Sequence, residues 1–294
     1  MSENKSVILR GMTKDGSARI LVINSTELVN GVIKAHKTAP TATAAIGRLA
    51  TAASMIGTML PEDKDTLTMS FICEGEIERM IAVSDYFGNV KCYIKNPKAD
   101  PPRKKNGKLD VGAAVGAGTF SMVRDVGGEE PQCGTIEIVS GEIAEDIATY
   151  FAKSEQVPTL LSLGVLVDKD YSCLAAGGVL IQLMPFPDDE TVSLIERNAA
   201  DLTNISAMFE RGLSNMEIAE IAMRDIPFDP FDTLEVEYKC DCSSERMRGK
   251  IKGLGKEEIK KMFDEQQAEG KPRVLTAKCR FCNSEYDFTE KDLL

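Results

Sequence analysis

A single histidine, His36, is all that this 294-residue sequence offers to acid–base chemistry near neutral pH. It lies at the apparent end of a helix, where a lone histidine is more often structural than catalytic. There is no Walker loop, and Gly112, Gly116 and Gly118 do not fall at the spacing of a dinucleotide fingerprint, so neither ATP-driven work nor hydride chemistry is supported. Positive charge is in deficit: 35 Lys and Arg against 46 Asp and Glu leave a net charge of −11, which argues against a phosphate-binding footprint. Residues 1–17 have no apolar stretch of the kind that marks a secretory leader. The longest uncharged run near the middle, 171–187, holds Gln182, two prolines and two glycines and is too broken to span a bilayer. No internal repeat or low-complexity tract is present. These absences leave a cytosolic protein that is not an enzyme, with neither nucleic acid nor membrane as a default partner.

What is present is ordinary globular material, 43% apolar and 28% charged, on a chain long enough for one large domain and smaller modules. The pattern up to about residue 186 is α+β. Thr66–Cys73 alternates as a strand, and the stretches 79–84 and 90–94 are joined across Gly88-Asn89 as an antiparallel pair. An Ala-rich stretch, 41–59, reads as a core helix with Ile46, Leu49, Ala53 and Ile56 on one stripe. A second helix follows Ser140 as N-cap, and strands are expected over 160–167 and Cys173–Leu183. Gly177-Gly178 marks a bulge or a tight backbone approach.

The composition then changes. Residues 186–239 carry 13 acidic against 4 basic side chains, while 240–294 carry 11 against 12. Val192, Ile195, Ala199, Leu202, Ile205 and Phe209 recur every three or four positions, which predicts a long amphipathic helix. Ser214 and Glu217 form a capping box for a shorter one, stopped by Pro227 and Pro230. Isolated helices are marginal in water, so this stripe must cover another surface. The segment 233–239 alternates as a half-exposed strand and runs into the first of two cysteine pairs.

Those pairs, Cys240-Asp241-Cys242 and Cys279-Arg280-Phe281-Cys282, predict one zinc held by four thiolates, because closed Cys₄ sites are built from two close pairs that meet in the fold. Two short helices are expected between the pairs, and a strand, knuckle and strand around the second. With four sulfur ligands no position remains for water or substrate. A purely structural site and a redox site are both open on these residues, since coordination keeps sulfur as thiolate, the form that oxidants attack. A thioredoxin-like pair is disfavoured by the lack of a βαβ context around Cys279. Cys73, Cys92, Cys133 and Cys173 are isolated in strand-like stretches, where a free cysteine acts as a small buried hydrophobe. The basic run Arg246, Arg248, Lys250, Lys252 and Lys256 beside the metal leaves a zinc-ribbon nucleic-acid-binding protein as the alternative reading. A solvated helix face balanced by the acidic connector is preferred for it.

The residues also carry a resemblance. Residues 140–146 (SGEIAED) with Ser154-Glu155-Gln156, 176–182 (AGGVLIQ), and the CxC and CxxC followed by Asn283 and Tyr286 resemble the heat shock protein 33 family, the redox-regulated 33 kDa chaperonins of the bacterial cytosol. His36, Gly47-Arg48-Leu49 and Gly253-Leu254-Gly255 add weaker matches. The resemblance implies an ATP-independent holdase that binds unfolding proteins under oxidative stress. It implies an N-terminal α/β substrate-binding domain (1–186), an acidic helical linker (187–232) and a zinc-binding redox-switch domain (233–294). On oxidation, disulfides Cys240–Cys242 and Cys279–Cys282 would form with release of zinc. The connector stripe Val192, Ile195, Leu202, Ile205 and Phe209 is then the expected client-binding and linker face. The resemblance leaves room for a homodimer on activation. One departure is the 36 residues between Cys242 and Cys279, somewhat more than the family pattern, which predicts a longer loop near 266–276.

Overall fold

The computed structural model describes residues 5–128 and 130–294. Residues 1–4, the start of the stretch that lacks a leader pattern, lie outside them. Two compact units follow one another along the chain, Met1–Lys239 and Cys240–Leu294.

The first unit begins with β1 (Ser6–Thr13), β2 (Ala18–Asn24), α1 (Thr26–His36) and α2 (Pro40–Gly57). There follow β3 (Thr66–Cys73), β4 (Arg79–Asp85), β5 (Val90–Ile94), the single turn α3 (Val111–Val115), β6 (Gly118–Asp125) and β7 (Gln132–Glu137). Then come α4 (Ala144–Tyr150), β8 (Thr159–Val167), β9 (Cys173–Leu183), α5 (Asp189–Asn198), α6 (Ile205–Glu210), α7 (Asn215–Ala222) and β10 (Phe228–Val236). Among the described residues two five-stranded sheets form, ordered β10-β1-β2-β9-β8 and β5-β4-β3-β6-β7, with every strand neighbour antiparallel. The predicted Thr66–Cys73 strand and the 79–94 hairpin lie in the second sheet. Helix α2 packs on strands of both sheets and buries every residue but Arg48; its small side chains permit that close approach.

The helix predicted after Ser140 is present, but its cap is different. Ser140 does not cap it. The buried Asp146 carboxylate reaches back and accepts the N–H groups of Val139, Ser140 and Ile143 at 2.7–3.0 Å, so the turn is held from inside the helix. The predicted long helix over 192–209 is also broken. A 3₁₀ turn over Ala199–Leu202 separates α5 from α6, and the buried Asn198 side chain donates to the carbonyls of Ala222 and Arg224 at the end of α7. A straight helix from 192 to 209 would be about 26 Å long and could follow a twisted sheet only along one line. The break lets both halves of the stripe reach the sheet. The Ser214–Glu217 capping box forms as predicted.

The first sheet is buried on both faces. On one face Ile8, Leu21, Ile23 and Leu180 join the core around α2. On the other, Leu9, Ile20, Val22, Val179 and Ile181 are covered by Ile195, Leu202, Ile205, Phe209 and Ile218 of the connector. Gly177 is a tight approach, not a bulge: a Cβ there would sit 2.0 Å from Phe209 Cε2. A Cβ on Gly164 would sit 2.7 Å from Ile205 Cγ2, so both glycines are slots for α6.

Of the strand expected at 233–239, residues 233–236 form the end of a longer one, β10, which pairs with β1 from Ser6↔Val236 to Thr13↔Phe228. Residues 233–239 therefore travel with the first unit, because the ladder to β1 and the contacts of Tyr238 hold them there. Pro230 sits on this edge strand at a register shift opposite Gly11, a tolerated place for a residue without an N–H.

The second unit holds α8 (Ser244–Lys252), α9 (Lys256–Ala268), β11 (Val274–Lys278), β12 (Glu285–Thr289) and the short α10 (Glu290–Leu293). The strands pair antiparallel on either side of Cys279–Cys282, the predicted strand, knuckle and strand. Its buried apolar core is Ile259, Phe263, Leu275, Phe288 and Leu293. Among the described residues no helix is long and apolar enough to cross a membrane.

Candidate metal centre

Cys240 and Cys242 lie on extended chain just before α8, where period-two spacing turns both side chains the same way. Cys279 directly follows β11, and the knuckle it opens is closed by two backbone bonds, Asn283 N–H to Cys279 O at 2.8 Å and Cys279 N–H to Ser284 O at 2.9 Å. Asn283 takes the left-handed conformation this turn requires, at φ 60°. The result is that the four sulfurs all lie within 4.8 Å of one another.

The spacing suits a tetrahedral ion. Sulfurs about 2.3 Å from a zinc at the centre of a tetrahedron stand about 3.8 Å apart. Cys240 and Cys279 are 3.7 Å apart, and Cys242 and Cys282 are closer, at 3.2 Å. Cys279 is buried and the other three are partly exposed, so an ion there would be shielded but reachable. The donor set of four thiols without oxygen selects a soft or borderline cation over magnesium or calcium.

Among themselves the thiols share protons unequally. Burial pushes the Cys240 and Cys242 thiols up. Burial also acts on Cys282, but the Ser284 hydroxyl and N–H and the thiols of Cys242 and Cys279 outweigh it and bring that thiol down to about 7. The Tyr286 hydroxyl, 3.1 Å from the Cys242 sulfur, is held by that contact at about 12. Like charges this close cannot all persist alone, so four thiolates require a cation in their midst.

The remaining predicted site residues fall elsewhere. Cys73, Cys92 and Cys173 are buried, and burial pushes Cys73 and Cys173 up to about 12 and Cys92 higher still, so all three are poor nucleophiles. Cys133 is a correction: it is exposed on β7, because that sheet-edge strand has one face in water. His36 is buried, its Nε2 lying 2.8 Å from the Cys92 carbonyl and 3.2 Å from the Tyr238 hydroxyl. The basic run is split between α8 and the start of α9, and Arg246 is paired with Asp241.

Of the connector stripe, Ile195, Leu202, Ile205 and Phe209 are buried on the first sheet and Val192 is half-buried at the margin. The sequence reading missed the other half of this seam, Leu9, Ile20, Val22, Val179 and Ile181. The signal was the unbroken apolar run Ile20-Leu21-Val22-Ile23, since a strand with one wet face alternates and one buried on both faces does not.

Comparison with known proteins gives one consistent result. The family model described as Hsp33 protein matches residues 6–289. A 33 kDa chaperonin of Agathobacter rectalis is 38% identical over 286 residues, covering 97% of each chain. One of Clostridium botulinum is 40% identical over 291 residues, covering 98% of this chain and 96% of its own. The crystal structure of the 33 kDa chaperonin of Thermotoga maritima superposes with a TM-score of 0.89 at 33% identity, covering 99% of this chain and 97% of that one.

Proposed function

The chain belongs to the Hsp33 family and is accordingly a chaperone and not an enzyme; on that premise we propose that it is an ATP-independent holdase switched on by oxidation of Cys240, Cys242, Cys279 and Cys282. The observation that carries this reading is the convergence of these four thiols at the base of a module whose own core is five apolar side chains. A core that small does not hold about 55 residues folded without a staple. Zinc, when bound by the four cysteines, supplies that staple, on the order of 10 kcal/mol of folding free energy, and keeps the sulfurs as thiolates.

Oxidation acts on the sulfurs themselves. Two cysteines give up two electrons and two protons to one hydrogen peroxide, forming one disulfide and two waters, so four thiols consume two peroxides. The pairing assigned is Cys240–Cys242 and Cys279–Cys282. Disulfides across the pairs would clamp the two halves of the module together, whereas disulfides within each pair leave the halves free to part. Unfolding then reaches the connector, where 11 acidic against 3 basic residues over 187–232 repel one another. The division of labour is 1–186 for client binding, 187–232 for the linker and 233–294 for the switch, of which 233–239 are held on the first unit and 240–294 are the part that zinc loss unfolds. Undocking the linker bares Ile20, Val22, Val179 and Ile181 together with the stripe itself, an apolar surface fit for unfolding clients. A cytoplasm that keeps thiols reduced is the compartment where such a switch rests. Its partners are clients, with neither nucleic acid nor membrane among them on the charge balance.

The test is peptide mapping after peroxide treatment of a variant with Cys73, Cys92, Cys133 and Cys173 all replaced by Ser. The expected outcome is that this variant still responds to oxidant and yields two disulfides, 240–242 and 279–282. A variant that folds but no longer responds, or that yields 240–279 and 242–282, contradicts the assignment.

A further inference from the structure

The two sheets have four outer edges among the described residues, and three are guarded. β10 carries Pro230 and the charges Asp229, Asp232 and Glu235. β5 is short, and its outer side takes the chain at 237–239, with Val90 N–H donating to Glu237 O at 3.0 Å and Lys239 N–H to Val90 O at 2.9 Å. β7 (QCGTIE) is short and polar. These are the usual devices that stop a sheet edge from pairing with another chain.

β8 has none of them. Thr159–Val167 runs nine residues without a charge or a proline (TLLSLGVLV) and pairs only with β9. Its flank is not sealed: a groove of about 1110 Å³ follows the strand along Leu161 to Val167, with α6 on one wall and the start of α2 on the other. Tyr171 and Leu174 line its end and are 57% and 48% exposed. Glu142 on the far wall is taken by Arg48 and Lys104. Arg103 and Lys108 line the groove beside them, a local excess of positive charge on a molecule of net charge −11.

We infer that this groove receives an extended segment of a polypeptide, apolar in its centre and acidic at its ends, which adds to the sheet as a sixth strand alongside β8. Main-chain hydrogen bonds supply the affinity in such an addition, and they are indifferent to sequence, which suits a protein that must accept many unrelated chains. The apolar centre lies on Leu161, Leu163 and Val165, and the acidic end meets Arg103 and Lys108. The strand at about 3.3 Å per residue is long enough to register eight or nine residues of a partner. The groove is lined by residues of the first unit alone, with the docked connector residues Ile205, Ser206 and Glu210 on one wall, so it is present before any oxidation. It is a first contact for clients, and it rests on the client-binding reading above.

The test uses the reduced full-length protein and a fluorescent peptide of about ten residues with alternating Val and Thr in the centre and Glu at both ends. Anisotropy is expected to report saturable binding, and hydrogen exchange to report slowed β8 amides. The same peptide methylated on alternate backbone nitrogens, with its side chains unchanged, should bind about tenfold more weakly or not at all. Leu163→Lys should weaken binding similarly. If that variant does not fold, Arg103→Glu with Lys108→Glu, both on the exposed loop, should weaken the acidic peptide by about tenfold. Equal affinity of the methylated peptide, or no protection of β8, overturns the inference. So does a stable dimer through β8 that the peptide does not displace, since the groove then belongs to a second copy. Absence of peptide binding while the oxidised protein still suppresses client aggregation defeats the groove alone. Failure of the oxidised protein to suppress aggregation defeats the switch instead.

Discussion

Leu202→Asp, kept fully reduced, is expected to suppress the aggregation of a thermally unfolding client about as well as the oxidised parent does. Leu202 is 1% exposed and lies in the apolar seam that also holds Ile205, Phe209 and Ile218 against Val22 and Val179. A carboxylate there has no cationic partner in the cluster, and an uncompensated buried charge costs on the order of 3–5 kcal/mol. The connector has little to set against that. Its helices are short, α5 of ten residues and α6 of six, and such helices persist only while they are packed. The charge also joins a segment that is already strongly acidic. The linker should therefore leave the sheet while the core around α2, on the sheet's opposite face, stays folded. Ile195→Asp should act in the same direction, and Val192→Asp, at the half-buried margin, much less. Circular dichroism and proteolysis would establish that the N-terminal core survives and that cleavage moves into 187–232. Variants that keep that core and yet suppress aggregation no better than the reduced parent would show that linker docking is not what restrains activity.

The second large effect is at the metal. Cys279→Ser is expected to abolish stoichiometric zinc binding and to leave Cys240–Leu294 unfolded, with the N-terminal unit intact. Cys279 is the buried thiol of the four, and serine there would keep the knuckle's backbone bonds but offer an ion only a weak hydroxyl donor. Zinc contributes on the order of 10 kcal/mol to modules of this kind, whereas Ile259, Phe263, Leu275, Phe288 and Leu293 form only a small core. Metal analysis should find one zinc per chain in the reduced parent and far less than one in the variant. A variant that keeps a full equivalent at parental affinity would contradict the ligand assignment.

The sequence was most legible where one residue type has one physical use. Four thiols in two close pairs have few roles besides holding a metal and exchanging electrons, and the fold brings them within 4.8 Å of each other. Strict alternation located Thr66–Cys73, and the Ala-rich stripe located α2, because small residues on a helix face imply close packing. Failures came where tertiary geometry overrode a local pattern. The stripe from Val192 to Phe209 fits a single helix, yet the twist of the sheet and the anchoring of Asn198 to the end of α7 break it in two. Ser140 looked like a cap, but Asp146 already accepts the N–H groups of Val139, Ser140, Gly141 and Ile143 from within the helix. Cys133 was expected to be buried like the other isolated cysteines, and strand order, which no local pattern encodes, put it on an exposed edge beside Gln132 and Thr135. The covered face of the first sheet was written in the unbroken run at residues 20–23, a pattern that also fits a buried helix until length and pairing decide.

The central claim is that oxidation of the four cysteines converts a resting chaperone into one that suppresses client aggregation, and light scattering of a thermally unfolding client measures this directly. The account predicts that the reduced, zinc-loaded protein leaves scattering near that of the client alone. The same protein treated with peroxide, sooner when mildly warmed than in the cold, should suppress it, and a thiol reductant should restore the resting state. Suppression of equal strength by the reduced and oxidised forms, or by neither, would contradict it.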